Sequence, residues 1–156
     1  MTASSKQFVR MEELMPIIRE CLEGGRTVSF SPRGVSMLPM LRQERDMVEL
    51  SPVGGRLKKY DLPLYQRENG QYVLHRIVKA GETYTCVGDN QFQLEPGLRQ
   101  EQMLALVTAF TRDGKRIPVS HPGYRLYCRV WHYSRPVRRL WRSLRSRLGR
   151  IKRRLF

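Results

Sequence analysis

Leu62–Val87 reads LPLYQRENGQYVLHRIVKAGETYTCV, and the fold class turns on its punctuation. Three runs rich in apolar, β-branched and aromatic residues, Leu62–Gln66, Tyr72–Val78 and Thr83–Val87, are separated by Glu68-Asn69-Gly70 and Ala80-Gly81-Glu82. Runs of four to seven residues are too short for helices, and Asn-Gly between two of them signals a hairpin. The same texture extends outward on both sides. Thr27–Phe30, Asp46–Leu50 and Met103–Phe110 read as further strands, with turns at Val53-Gly54-Gly55 and Asp113-Gly114. Many short strands at close spacing predict a mainly β fold, a coiled β-sheet or barrel-like domain.

The two ends follow a different period. Phe8, Met11, Leu14, Met15, Ile18 and Leu22 recur at helical steps until Gly24-Gly25, with Pro16 predicting a kink or a helix start inside the pattern. At the other end Val137, Leu140, Trp141, Leu144, Leu148, Ile151 and Leu155 form one apolar stripe among arginines. Pro136 suits the first turn of that helix, with Ser134 near the cap, and Tyr124–Tyr133 reads as an aromatic segment packed on the domain. The chain therefore divides into an N-terminal amphipathic helix (1–25), a β domain (26–123) and a cationic amphipathic helical tail (124–156).

Charge follows the same division. Of 29 Lys and Arg, 12 fall in Arg125–Phe156, where no Asp or Glu occurs; the other 17 stand beside all 14 acidic residues. A nearly balanced domain thus carries a strongly cationic tail, and the net charge of +15 describes neither part. Cys21, Cys86 and Cys128 are odd in number and show no CxxC spacing, which predicts no disulfide framework and no zinc site, and a reduced, cytoplasmic setting. No run approaches the ~18 apolar residues a membrane-spanning helix needs. Met1–Cys21 holds too many charges for a signal peptide.

Four islands carry candidate chemistry: Gly34-Val35-Ser36-Met37-Leu38-Pro39, His75 inside an apolar β run, Gly88-Asp89-Asn90, and Glu95. A serine hydroxyl becomes a nucleophile when a neighbouring base takes its proton. Histidine has the right range of pKa, and a carboxylate can hold its tautomer and stabilise the imidazolium. Ser36, His75 and either Asp89 or Glu95 supply that set. A serine in a Gly-containing bend can also aim backbone N–H groups at an oxyanion. Taken singly, Ser36 reads as a turn residue, His75 as a structural strand histidine and Asp89 as a turn aspartate.

In this order the islands resemble the signal peptidase superfamily of serine peptidases, which includes the self-cleaving repressors of the bacterial DNA-damage response. Gly34–Pro39 matches the nucleophile box, Asp46-Met47-Val48 and Tyr60–Leu64 the strands after it, His75-Arg76-Ile77-Val78 the strand of the base, and Gly88-Asp89-Asn90 the following box. The resemblance covers about Thr27 to Val107. Histidine at the base position is similar to the endoplasmic-reticulum-type, Ser–His branch rather than the Ser–Lys branch. It implies peptide-bond hydrolysis through an acyl-enzyme with no cofactor or metal. Ser36 would be the nucleophile and His75 the base, with Asp89 or Glu95 orienting it. That branch has aspartate where this chain has Glu95. Gly34, Val35, Met37 and Leu38 would shape the oxyanion site and a cleft for small side chains. Two departures stand out. Phe8–Leu22 is amphipathic where signal peptidases have a membrane anchor, and Gly34 lacks a hydroxyl that assists the oxyanion in some relatives. The expected activity is therefore cleavage of a peptide, leader or precursor in the cytoplasm or at the inner face of the membrane. A catalytically inactive peptide-binding module is the other expectation.

The tail suggests its own partner. Cationic residues around a Trp/Leu/Ile stripe are the composition of an interfacial membrane helix. An anionic membrane surface bound through Arg135–Phe156 is accordingly expected ahead of nucleic acid or an acidic peptide.

Overall fold

The computed structural model describes residues 10–155, with side chains through Arg147. Phe8 and the tail residues Leu148, Ile151, Leu155 and Phe156 lie outside the residues or side chains so described. Helix α1 (Met11–Glu23) runs unbroken through Pro16 and buries Met15, Ile18 and Leu22. It ends where the Gly24 and Gly25 N–H groups cap the carbonyls of Glu20 and Leu22.

Among the described residues nine strands follow: β1 (Val28–Phe30), β2 (Met47–Ser51), β3 (Pro63–Gln66), β4 (Tyr72–Leu74), β5 (Arg76–Ala80), β6 (Tyr84–Val87), β7 (Glu95–Leu98), β8 (Met103–Arg112) and β9 (Lys115–Pro118). They form two antiparallel sheets. The larger has the order β1-β2-β8-β3-β4, with β9 also on β8; the smaller is β5-β6-β7. The mainly β expectation holds at this level, but the sheets do not close into a barrel. Strands β7 and β9 were not among the expected runs. Pro96 and Gly97 disguise the first, and Lys115-Arg116 the second.

The decisive difference concerns Tyr72–Val78. One continuous run was expected there, yet the chain leaves the larger sheet after Leu74 and enters the smaller one at Arg76. His75 is the residue between. Alternation along β3 explains why two sheets share one core region. Leu64 faces the main cluster with Val48, Leu50 and Phe110, whereas the next residue, Tyr65, faces a second cluster with Ile77, Tyr84 and Cys86.

Helices α2 (Pro122–Tyr133) and α3 (Arg135–Leu155) are separated only by Ser134, which keeps helical dihedrals (φ −77°, ψ −6°). The α3 helix thus begins at Arg135, and Ser134 ends α2. The first of these helices belongs to the core: Tyr124 and Cys128 are buried in the main cluster. The expected boundary at 124 therefore cuts through packed structure. No helix among the described residues is long and apolar enough to cross a membrane.

Candidate functional site

The serine turn is held from below by its own apolar residues. Gly34 takes a left-handed φ of +89° and donates its N–H to Gln43 Oε1 at 3.0 Å. The chain then bends through Val35–Met40, with Leu41 N–H donating to the Met37 carbonyl at 2.9 Å. Met37, Met40 and Leu41 sink into the main core, which leaves Ser36 half-buried at the rim. The returning strand is tied by Asp46, whose fully buried carboxylate accepts from the Arg42 N–H and guanidinium.

His75 is buried, and its Nδ1 side is fully occupied. Glu95 Oε1 lies 3.0 Å from His75 Nδ1, and the Tyr65 hydroxyl lies 3.3 Å from the same atom while donating to Glu95 Oε2 at 3.0 Å. Arg67 grips the Glu95 carboxylate with two N–H groups, at 2.8 and 2.5 Å. Burial pushes Glu95 upward, but the hydrogen bonds and charges of Arg67, His75 and Tyr65 outweigh it and hold the carboxyl below its usual range. Burial dominates at His75 and lowers its pKa below the ordinary imidazole value, against the opposing pull of Glu95. A neutral imidazole beside an ionised Glu95 keeps its proton on Nδ1, so Nε2 presents a lone pair. Nε2 lies beside Gly88.

Gly88 is the point at which the serine turn and the histidine meet. A methyl group built on its Cα would stand 2.6 Å from the Ser36 carbonyl oxygen and 3.1 Å from His75 Nε2. The adjoining residue fastens the same contact: Asn90 donates its N–H to the Ser36 carbonyl at 2.8 Å and its Nδ2 to the Val35 carbonyl at 3.1 Å. Ser36 and His75 both line a cleft of about 220 Å³, with Met37, Leu41, Arg67 and Gln91 among its walls. Among the described residues no hydrogen bond joins Ser36 Oγ to His75. Gly88→Ala is expected to cost about 1–3 kcal/mol, because the clashing atom is backbone and a neighbouring turn must move. A thermal melt checks the cost, and a changed His75 ring resonance by NMR checks that the movement reaches the imidazole. An unchanged melting temperature would show that the approach is looser than described.

Asp89 and Glu95, left as alternatives by sequence, occupy different environments. Asp89 does not reach His75. Its buried carboxylate accepts from Arg76 Nε and Nη2, each at 2.8 Å, and from the Tyr127 hydroxyl at 3.0 Å. Arg76 is itself buried and extends to the Tyr124 hydroxyl and Cys128 Sγ. The helices close over this turn: Trp131 Nε1 donates to the Asp89 carbonyl at 2.7 Å, and Arg142 Nη2 to Asn90 Oδ1 at 3.0 Å. Arg138 lies 3.8 Å over the Trp131 ring and also reaches the Asp89 carbonyl.

The four residues expected around the serine separate as well. Gly34 and Met37 line the cleft, whereas Val35 stands exposed and Leu38 half-buried, outside its lining. Leu41 supplies apolar wall instead, because the turn rotates Val35 outward. Tyr65 and Arg67 were not anticipated. Their i, i+2 spacing on one side of a hairpin was the available signal, since alternate strand residues share a face. No family model, curated protein or solved structure matches this chain.

Proposed function

We propose that the chain is a serine peptidase of signal-peptidase type, with Ser36 as nucleophile, His75 as general base and Glu95 as the residue that orients it. The observation carrying this reading is the convergence on one cleft of Ser36 and a buried, neutral His75 whose Nδ1 is backed by Glu95. In the first step Ser36 Oγ attacks the scissile carbonyl carbon while its proton passes to His75 Nε2. The Ser36 backbone N–H helps hold the oxyanion. Collapse of the tetrahedral adduct breaks the C–N bond, and the amine leaves with the proton from His75. Water, deprotonated by the same nitrogen, then attacks the acyl-serine ester; the C–Oγ bond breaks, Ser36 Oγ takes the proton back from His75 Nε2, and the acid is released. Arg67 and Tyr65 keep Glu95 ionised and aimed, which in turn fixes the tautomer of His75. Asp89 serves the fold of the turn.

The test is cleavage of a mixed peptide library, read by mass spectrometry. Products that appear with the native chain and vanish with Ser36→Ala are expected; cleavage retained by Ser36→Ala sinks the proposal. The alternative, a module that holds peptides without cutting them, draws on the missing hydrogen bond between Ser36 Oγ and His75. Capture of library members by both proteins without products would favour it.

Glu95→Gln separates orientation from charge. The plateau rate should fall about 10²–10⁴-fold, since the imidazolium formed during attack loses its counter-charge. Glu95 also raises the His75 pKa, so its neutralisation moves the acid limb of the pH–rate profile to still lower pH. A limb that stays in place would show that Glu95 does not act on His75.

A further inference from the structure

Among the described side chains, the apolar stripe of the tail does not pack into the core of the β domain. Val137, Leu140, Trp141 and Leu144 on α3 are all exposed, Trp141 by 68%. So are Leu126, Val130 and Tyr133 on α2. Across the Ser134 junction these seven residues follow steps of 4, 3, 4, 3, 1 and 3, so the two helices carry one continuous stripe. At 1.5 Å per residue it is about 27 Å long. The opposite face is the one used by the domain, through Tyr124, Tyr127, Trp131, Arg138 and Arg142. The helices are thus mounted with apolar residues outward and part of their arginines inward, the reverse of an ordinary surface helix.

We propose that this stripe lies on an anionic lipid bilayer surface. Arg125, Arg129, Arg145 and Arg147 border it and are exposed, and Lys59 stands 5.7 Å over the Tyr133 ring at its edge. No acid occurs from Arg125 onward to temper that rim. The occupant must therefore accept apolar side chains along its middle and offer negative charge at its borders. An acyl boundary beneath anionic headgroups does both, with arginine stems lying along the apolar layer and their heads in the headgroups. A second copy of the chain would bring the same cations face to face. Nucleic acid would use the arginines and leave Leu126, Val130, Leu140 and Leu144 without a partner.

The test uses the full chain and needs no peptidase activity, so it stands or falls independently of the proposed reaction. Vesicles of phosphatidylcholine mixed with phosphatidylglycerol should co-sediment the protein, and pure phosphatidylcholine vesicles should bind it at least ~10-fold more weakly, in line with the charge contribution of a few basic residues. Trp141 fluorescence should shift to the blue on binding. Leu140→Glu and Trp141→Glu, both at exposed positions that leave folding intact, should each weaken binding ~10-fold or more. Arg145→Gln with Arg147→Gln should narrow the preference for phosphatidylglycerol about 5–30-fold, leaving the remainder to Arg125, Arg129 and Lys59. Vesicle binding indifferent to Leu140→Glu overturns the proposal. So does absence of vesicle binding in a protein that binds single-stranded RNA with the same dependence on Trp141.

Discussion

Ser36→Ala and His75→Ala are each expected to lower the turnover of a cleaved peptide by about 10⁴–10⁶-fold, with the double variant no worse than the poorer single one. The non-additivity is the informative part. If Ser36 is activated only through His75, removing either leaves the other with nothing to do, and the second deletion has no further effect. If the two acted separately, their losses would multiply. The same series fixes the pH dependence. Rate should rise with pH as His75 loses its proton, and because burial lowers its pKa the midpoint should fall below the ordinary imidazole range. At neutral pH the base is then fully available. Steady-state rates on any library member found to be cut decide the matter, and a double variant that falls further by a product of the single losses would refute the assignment.

The second large effect is on stability. Asp89→Asn should destabilise the fold by about 3–5 kcal/mol, because it strips the buried Arg76 of its counter-charge while the guanidinium stays in place. For a chain of this length that corresponds to a fall of roughly 6–20 °C in Tm. Replacing both partners, as Arg76→Met with Asp89→Leu, should recover much of the loss, since neither charge then remains buried alone. Thermal and denaturant melts of the three proteins test this. An Asp89→Asn protein within ~1 kcal/mol of the native one would mean the pair is solvated, contrary to its burial. The design also separates Asp89 from Glu95: the Glu95 variant should lose rate with little stability, and the Asp89 variant the reverse order of effects.

The strands around Leu62–Val87 were legible because each is bounded by turn residues that admit few conformations. The change of sheet at His75 was not. Tyr72–Val78 is apolar throughout except for His75-Arg76, and periodicity within a strand carries no information about which neighbours will pair with it. The choice between Asp89 and Glu95 was open for a related reason: spacing in sequence places both after β6 but does not say which face each turns to. Adjacent residues of an extended chain point to opposite sides, so His75 and Arg76 had to take different partners. Glu95 went to the first and Asp89 to the second. The tail's stripe was plain in its spacing, whereas its outward mounting depended on Arg138 and Arg142 finding carbonyls on a distant turn.

That mounting bears on how such a chain can change over evolutionary time. Asn90 holds the serine turn with its N–H and side-chain amide, while its two oxygens receive Arg142. One residue is therefore read from two directions, by elements more than fifty positions away on either side. The helices after Pro122 cannot be exchanged as a cassette for another helical segment without supplying new cover for Asp89 and Asn90. Recombination is tolerated where few contacts cross a junction, and the junction before α2 is crossed at the very turn that positions the serine. The helical pair and the cleft beside Ser36 are for that reason a single heritable unit.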